Sequence, residues 1–179
     1  MNKRILYILA FMLLSFKVNA QMMVVKSDIM RDVALAPNLH VDFTVGEKHT
    51  LGLGGSYGNS VLGKDINIAT FDPNFRYWFN GRPFTRQYIG IDAQLAQYDV
   101  HWGRKIFDGS SFAVGLIFGH VANLSKRWNL ELEGGIDILS YSHKEYYKGD
   151  VYEDYGEKNN GHGTIMCPHL SVSFSYIIR

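Results

Sequence analysis

The sequence predicts an all-β fold: an eight-stranded antiparallel transmembrane up-and-down barrel that follows a cleaved signal peptide. Three observations predict it. Apolar and polar residues alternate with period 2 in eight separate segments. The connections between those segments alternate between short and long, and aromatic residues gather at the ends of the apolar runs. Eight is an even number and the smallest strand count of bacterial outer-membrane barrels.

The first 20 residues read as an export signal. Lys3 and Arg4 form a basic start, Ile5 to Phe16 an apolar run, and Val18-Asn19-Ala20 the small-x-small pattern of a cleavage site. The apolar run is shorter than the roughly 20 residues a spanning helix needs. Cleavage is expected between Ala20 and Gln21, which divides the chain into a signal peptide, 1–20, and a barrel domain, 21–179. Residue 21 is Gln and the only cysteine is Cys167, so a lipidated N-terminus is not expected.

Removing Lys3, Arg4 and Lys17 from the 18 basic residues leaves 15 against 17 acidic ones, a formal net charge of −2. A nucleic-acid partner calls for a basic excess, so none is expected. One cysteine forms no internal disulfide, and stability must come from packing and the backbone ladder. Aromatics make up 14% of the chain, with 18 glycines and 4 prolines, a composition that suits a barrel.

The alternation runs as follows. A weak first strand covers Met23 to Ile29, with Lys26 and Asp28 on its polar side. Leu39, Val41, Phe43 and Val45 alternate with His40, Asp42 and Thr44, and Leu51, Leu53, Gly55 and Tyr57 with Gly52 and Gly54. Phe71, Pro73, Phe75, Tyr77 and Phe79 alternate with Asp72, Asn74, Arg76 and Trp78. Ile89 to Ala96 and Phe112 to Gly119 repeat the pattern. Trp128 to Ile138 sets Glu131, Glu133 and Asp137 against leucines and isoleucines, and Leu170 to Tyr176 alternates with serines. Gly46 to His49, Asn80 to Arg86 and Asn123 to Arg127 are short connections. Gly58 to Ala69, Val100 to Ser110 and Ser142 to Gly163 are long, and a brief first connection lies around Asp32 to Ala36. Short periplasmic turns and long external loops are the outer-membrane arrangement.

On the apolar register, Phe79, Trp128 and Tyr176 lie beside the short turns, and Tyr57, Phe71 and Phe112 beside the long ones. Two such belts match interfacial aromatic girdles, with the lipid bilayer as the barrel's first partner. The polar register sends Asp28, Asp42, Asp72, Asp92, Glu131, Glu133 and Asp137 inward against Lys26 and Arg76. An eight-stranded barrel is narrow enough for side chains to fill it, so these residues are expected to pack as a polar network.

Several segments resemble a family. They are Val25-Lys26-Ser27-Asp28-Ile29-Met30-Arg31-Asp32 with Ala36-Pro37-Asn38-Leu39, then Pro73-Asn74-Phe75-Arg76-Tyr77-Trp78-Phe79, Gly90-Ile91-Asp92-Ala93, and Lys126-Arg127-Trp128-Asn129-Leu130-Glu131-Leu132-Glu133. The chain resembles, over nearly its whole mature length, a domain of unknown function. The resemblance implies a small outer-membrane β-barrel of Bacteroides-type Gram-negative bacteria and, for some members, a link to surface fimbriae. It implies no activity. The chain departs from the general barrel pattern in ending Ile177-Ile178-Arg179 and not on an aromatic.

No cofactor, metal or catalytic site is expected. His120-Val121-Ala122 has the spacing of a lipid-deacylating His and Ser, but Ala122 has no hydroxyl to act as nucleophile. His162, Cys167 and His169 fit no established zinc spacing. The last long connection carries Tyr146, Tyr147, Tyr152 and Tyr155 among acidic residues, a composition suited to recognition. The sequence thus points to a non-enzymatic barrel, exported through the Sec pathway to the outer membrane. Its expected role is structural, anchoring or surface-interacting, with a surface or fimbrial protein as candidate partner. The alternatives are a lipid-modifying enzyme and a narrow channel.

Overall fold

In the computed structural model, which describes residues 22–149 and 160–178, nearly every residue joins one antiparallel sheet. Its elements are β1 (Met23–Asp28), α1 (Ile29–Val33), β2 (Asn38–Thr44), β3 (His49–Gly58), β4 (Ile66–Phe71), β5 (Asn74–Trp78), β6 (Arg86–Trp102), β7 (Lys105–Asn123), β8 (Trp128–Tyr147) and β9 (Asn160–Ile178). β4 and β5 both pair with β3 on one side and β6 on the other. They are two halves of one barrel strand, so the nine segments make eight staves. β1 pairs with β9, from Met23 opposite Ile178 to Asp28 opposite Ser173, and this closes the ring. Closure leaves no free edge through the barrel body.

The expected single run Phe71 to Phe79 is interrupted at Asp72-Pro73. Proline has no N–H to give the ladder and breaks a central strand. The neighbouring groups still pair: Asp72 and Gly54 exchange both backbone hydrogen bonds, at 2.8 and 3.1 Å, and the Ala93 N–H donates to the Pro73 carbonyl at 2.9 Å. Phe79 falls just beyond β5, in the turn.

The expected connections need correction, beginning with Gly58 to Ala69, whose last four residues belong to β4. Val100 to Ser110 is not a long loop: β6 and β7 run through it and meet at a turn of Gly103 and Arg104, where Gly103 takes the left-handed φ of 65°. Likewise β8 continues to Tyr147, and β9 begins at Asn160. The first strand ends at Asp28, not Ile29, because the Asp28 side chain accepts from the Met30 N–H at 2.8 Å and caps α1. The four strands β6 to β9 are therefore 17 to 20 residues long, well beyond the roughly 9–11 that a bilayer requires. They stand as an extended wall past the end of the shorter strands.

The faces are inverted relative to a water-soluble barrel. Leu53, Phe75, Ile91, Leu116, Phe118, Leu132, Ile136 and Leu170 are exposed on the outside. Lys26, Asp42, Arg76 and Glu131 are buried inside. The outer face turns polar at one level along the long strands: Leu95 gives way to Gln97, Phe112 to Ser110, Ile138 to Ser140 and Met166 to Thr164. At the opposite end the interior is apolar. Trp78, Phe84, Tyr88, Ile117, Val121, Val24 and Ile177 form a plug beside the short turns.

Candidate functional site: the charged lumen

The plug sets the floor. Trp78 and Tyr88 lie with ring centroids 4.7 Å apart, and Phe84 inserts from the turn to 5.5 Å from Trp78. The buried Trp78 indole N–H is satisfied by the Thr50 hydroxyl at 3.1 Å. Tyr88 lies flat because its cross-strand neighbour is Gly119: any Cβ there would fall 2.2 Å from the tyrosine ring.

Above the floor the ring of Tyr88 carries the guanidinium of Arg76, centred 4.8 Å from it. Arg76 is 2% exposed. Its Nη1 donates to Asp42 at 2.8 Å and lies 3.2 Å from Glu131, and its Nη2 donates to Glu133 at 2.8 Å. Lys26 completes the group, with Nζ 3.2 Å from both Asp42 and Glu131. The Tyr88 hydroxyl lies 2.8 Å from Glu131 and 2.5 Å from Glu133 and donates to one or the other. Two cations thus hold three carboxylates, and the phenol proton serves the surplus negative charge. A buried charge is tolerated only when paired and hydrogen-bonded in this way.

Of the inward residues read from the sequence, Lys26, Arg76, Asp42, Glu131 and Glu133 meet in this one network. Asp92, expected in the same polar network, makes no contact with Arg76 and joins the network only through His169 and Glu133. It pairs across the ladder with Asn74, one step above Arg76. Asp92 and Asp137 face His169 instead, whose Nδ1 lies 3.6 and 3.2 Å from their Oδ2 atoms. The Nε2 of His169 lies 3.2 Å from Glu133. Higher still, Arg31 reaches in from α1 and donates to Asp72 at 2.6 Å, while Gln94 donates to the other oxygen of Asp72 at 2.9 Å. A cavity of about 50 Å³ lies among these groups.

Tyr88, His169 and Arg31 were missed as members of the lumen. Tyr88 lies two residues before Gly90 on the polar register, so a strand started earlier would have included it. His169 lies two before Ser171 on the same face. Arg31 belongs to a one-turn helix that has no periodicity to read.

The remaining expected features fall elsewhere. The girdle residues Trp128 and Phe79 are exposed on the exterior near the short turns, with Trp128 4.7 Å from Tyr176. Tyr57, Phe71 and Phe112 are exposed near the opposite limit of the apolar face. His120 points outward, away from the lumen, as does Ala122. His162 is also outward, on the polar wall, whereas Cys167 faces in and its thiol lies 3.8 Å from the Asp137 carbonyl. Tyr146 and Tyr147 lie on the end of β8 and not in a loop, where Glu145 pairs with Lys105 and that ammonium lies over the Tyr147 ring. The hydrogen bond from Lys105 to Glu145 holds the ammonium above its ordinary pKa. Tyr152 and Tyr155, and Ala20 and Gln21 at the expected cleavage site, lie outside the described residues.

The wall has an order of its own. The Tyr141 and His143 rings stack with centroids 5.7 Å apart, and Phe107 meets His143 edge-on at 5.4 Å. Gly161 and Gly163 on β9 leave the space these two rings cover. Pro168 lies where β9 has passed beyond β1, on a stretch whose far side has no strand partner among the described residues. A proline there blunts an edge that would otherwise invite pairing.

Compared with known proteins, residues 6–178 match the model of a family described as protein of unknown function (DUF3575). No curated protein and no solved structure matches.

Proposed function

The chain belongs to the DUF3575 family, and we propose that it is an integral outer-membrane barrel of a Bacteroides-type Gram-negative bacterium, exported by Sec and cleaved before Gln21. It acts as an anchor or docking platform for a surface or fimbrial protein. The observation that carries this reading is the inverted barrel: an apolar exterior that ends at one level around a lumen of buried charges above an apolar plug. Such a surface in water would be an aggregation hazard far larger than a normal exposed patch. In lipid it is the required outer face. The wall of β6 to β9 would then rise outside the cell, with its polar outer face and Tyr141–His143–Phe107 cluster accessible to a partner. A channel is the weaker reading, since a conducting path must displace Trp78, Phe84 and Tyr88 from the floor.

Two experiments test the proposal. Carbonate washing should leave the protein in the membrane fraction, and N-terminal sequencing of that fraction should begin at Gln21. Release into the wash, or a chain that starts at Met1, would count against it. Protease added to intact cells should cut between Tyr147 and Asn160, the ends of β8 and β9, within the expected long connection Ser142 to Gly163. Cutting only after lysis would reverse the orientation and remove the wall from the surface.

A further inference from the structure

We propose that Asp92, Asp137 and His169 form a binding site for one divalent first-row transition-metal ion in the upper lumen. The strands bring them together at one level. Asp92 on β6 and Asp137 on β8 are both cross-strand partners of Gly115 on β7, and His169 on β9 is diagonal to Asp137. Each residue offers one donor atom, and the three atoms lie within 4.8 Å of one another. Ligands bonded at about 2.1 Å lie roughly 3–4 Å apart, so modest side-chain rotation closes the set around an ion.

Several independent features point to a cation as the ligand of these groups. The Oδ1 atoms of Asp92 and Asp137 are shut off from solvent and have no hydrogen-bond partner. Both converge over Gly115: a Cβ there would lie 1.9 Å from one and 2.9 Å from the other. The glycine leaves these two like charges space to approach each other. Among the described residues no Lys or Arg pairs with them. Lys26 and Arg76 pair with Asp42, Glu131 and Glu133, and Arg31 with Asp72. His169 is oriented for ligation, because Glu133, with its side chain 8% exposed, lies at its Nε2 and leaves Nδ1 toward the aspartates. A carboxylate behind an imidazole that faces a cation is the usual outer shell of a metal-bound histidine. The adjoining cavity of about 50 Å³ has room for a water to fill a further coordination position. One imidazole and two carboxylates suit zinc, manganese or iron in the divalent state.

This site does not depend on where the barrel resides, and its test separates the two questions. Chelator-stripped protein, folded in detergent micelles, is titrated with Zn²⁺ by calorimetry. One ion per chain is expected, with affinity reduced at least tenfold in His169→Ala and in Asp137→Asn. His101→Ala, which removes a half-buried histidine near Asp65 and Asp99 on the wall, should change nothing. Should the lumen variants fail to fold, X-ray absorption of the zinc-loaded wild type decides: one nitrogen among oxygen ligands is expected. No stoichiometric uptake would mean that His169 bridges the aspartates as an imidazolium. Uptake abolished by His101→Ala, or a first shell with sulfur or several imidazoles, would equally overturn the assignment.

Discussion

Arg76→Ala is expected to lower barrel stability by about 3–5 kcal/mol, the usual cost of leaving a buried charge network without one partner. The substitution strands three carboxylates. Asp42 retains Lys26, Glu131 retains Lys26 and shares the Tyr88 hydroxyl with Glu133, and Glu133 loses its 2.8 Å partner and keeps His169. It also opens a hole over the Tyr88 ring, on which the guanidinium rests. Arg76→Lys should rescue only part of the loss, because one ammonium cannot span Asp42, Glu131 and Glu133 as the planar fork does. Arg86→Ala is the comparison. Arg86 is exposed at the start of β6, and its replacement should shift stability by about 0.5 kcal/mol at most. Urea unfolding midpoints of the three variants in lipid vesicles measure this. Equal midpoints for Arg76→Ala and Arg86→Ala would show that the network contributes nothing to stability.

Which residues face the lumen was legible from the period alone, because one charged residue among alternating apolar ones fixes the register of its strand. Asp42 between Val41 and Phe43, and Arg76 between Phe75 and Tyr77, needed no structure. Their heights in the barrel were not legible. Height depends on the stagger between strands, which the hydrogen-bond ladder sets and the sequence does not display. Hence Asp92 was grouped with Arg76, although the stagger carries it up to Asp137 and His169. The upper strands failed for a different reason. Beyond Leu95, Phe112 and Ile138 neither face is continuously apolar, so the alternation that marks a strand disappears and the segment reads as loop. There, strand is maintained by the ladder from Tyr98 opposite Gly109 to Trp102 opposite Lys105, and by rings lying over glycines. α1 escaped notice because five residues are too few for a helical period to register.

The adjacent pair Leu116 and Ile117 tests the inversion of the barrel most directly. Leu116 is 63% exposed, between the outward Ile91 and Ile136 on neighbouring strands, while Ile117 is 1% exposed over the floor of the lumen. Ile117 packs against the backbone where Gly90 and Gly135 carry no side chain. Ile117→Ala should cost about 2–5 kcal/mol whatever surrounds the barrel, since it empties an interior site. Leu116→Arg depends on the surroundings. On a lipid-facing surface near the midplane it should cost about 2–4 kcal/mol. On a surface facing water the same change should stay within about 0.5 kcal/mol, and it should improve solubility. Unfolding in lipid vesicles is therefore expected to show both variants destabilised. If Ile117→Ala is destabilised while Leu116→Arg matches the wild type, the apolar exterior does not face lipid. That outcome would place the apolar exterior in water, and the membrane assignment would fail while the fold stands.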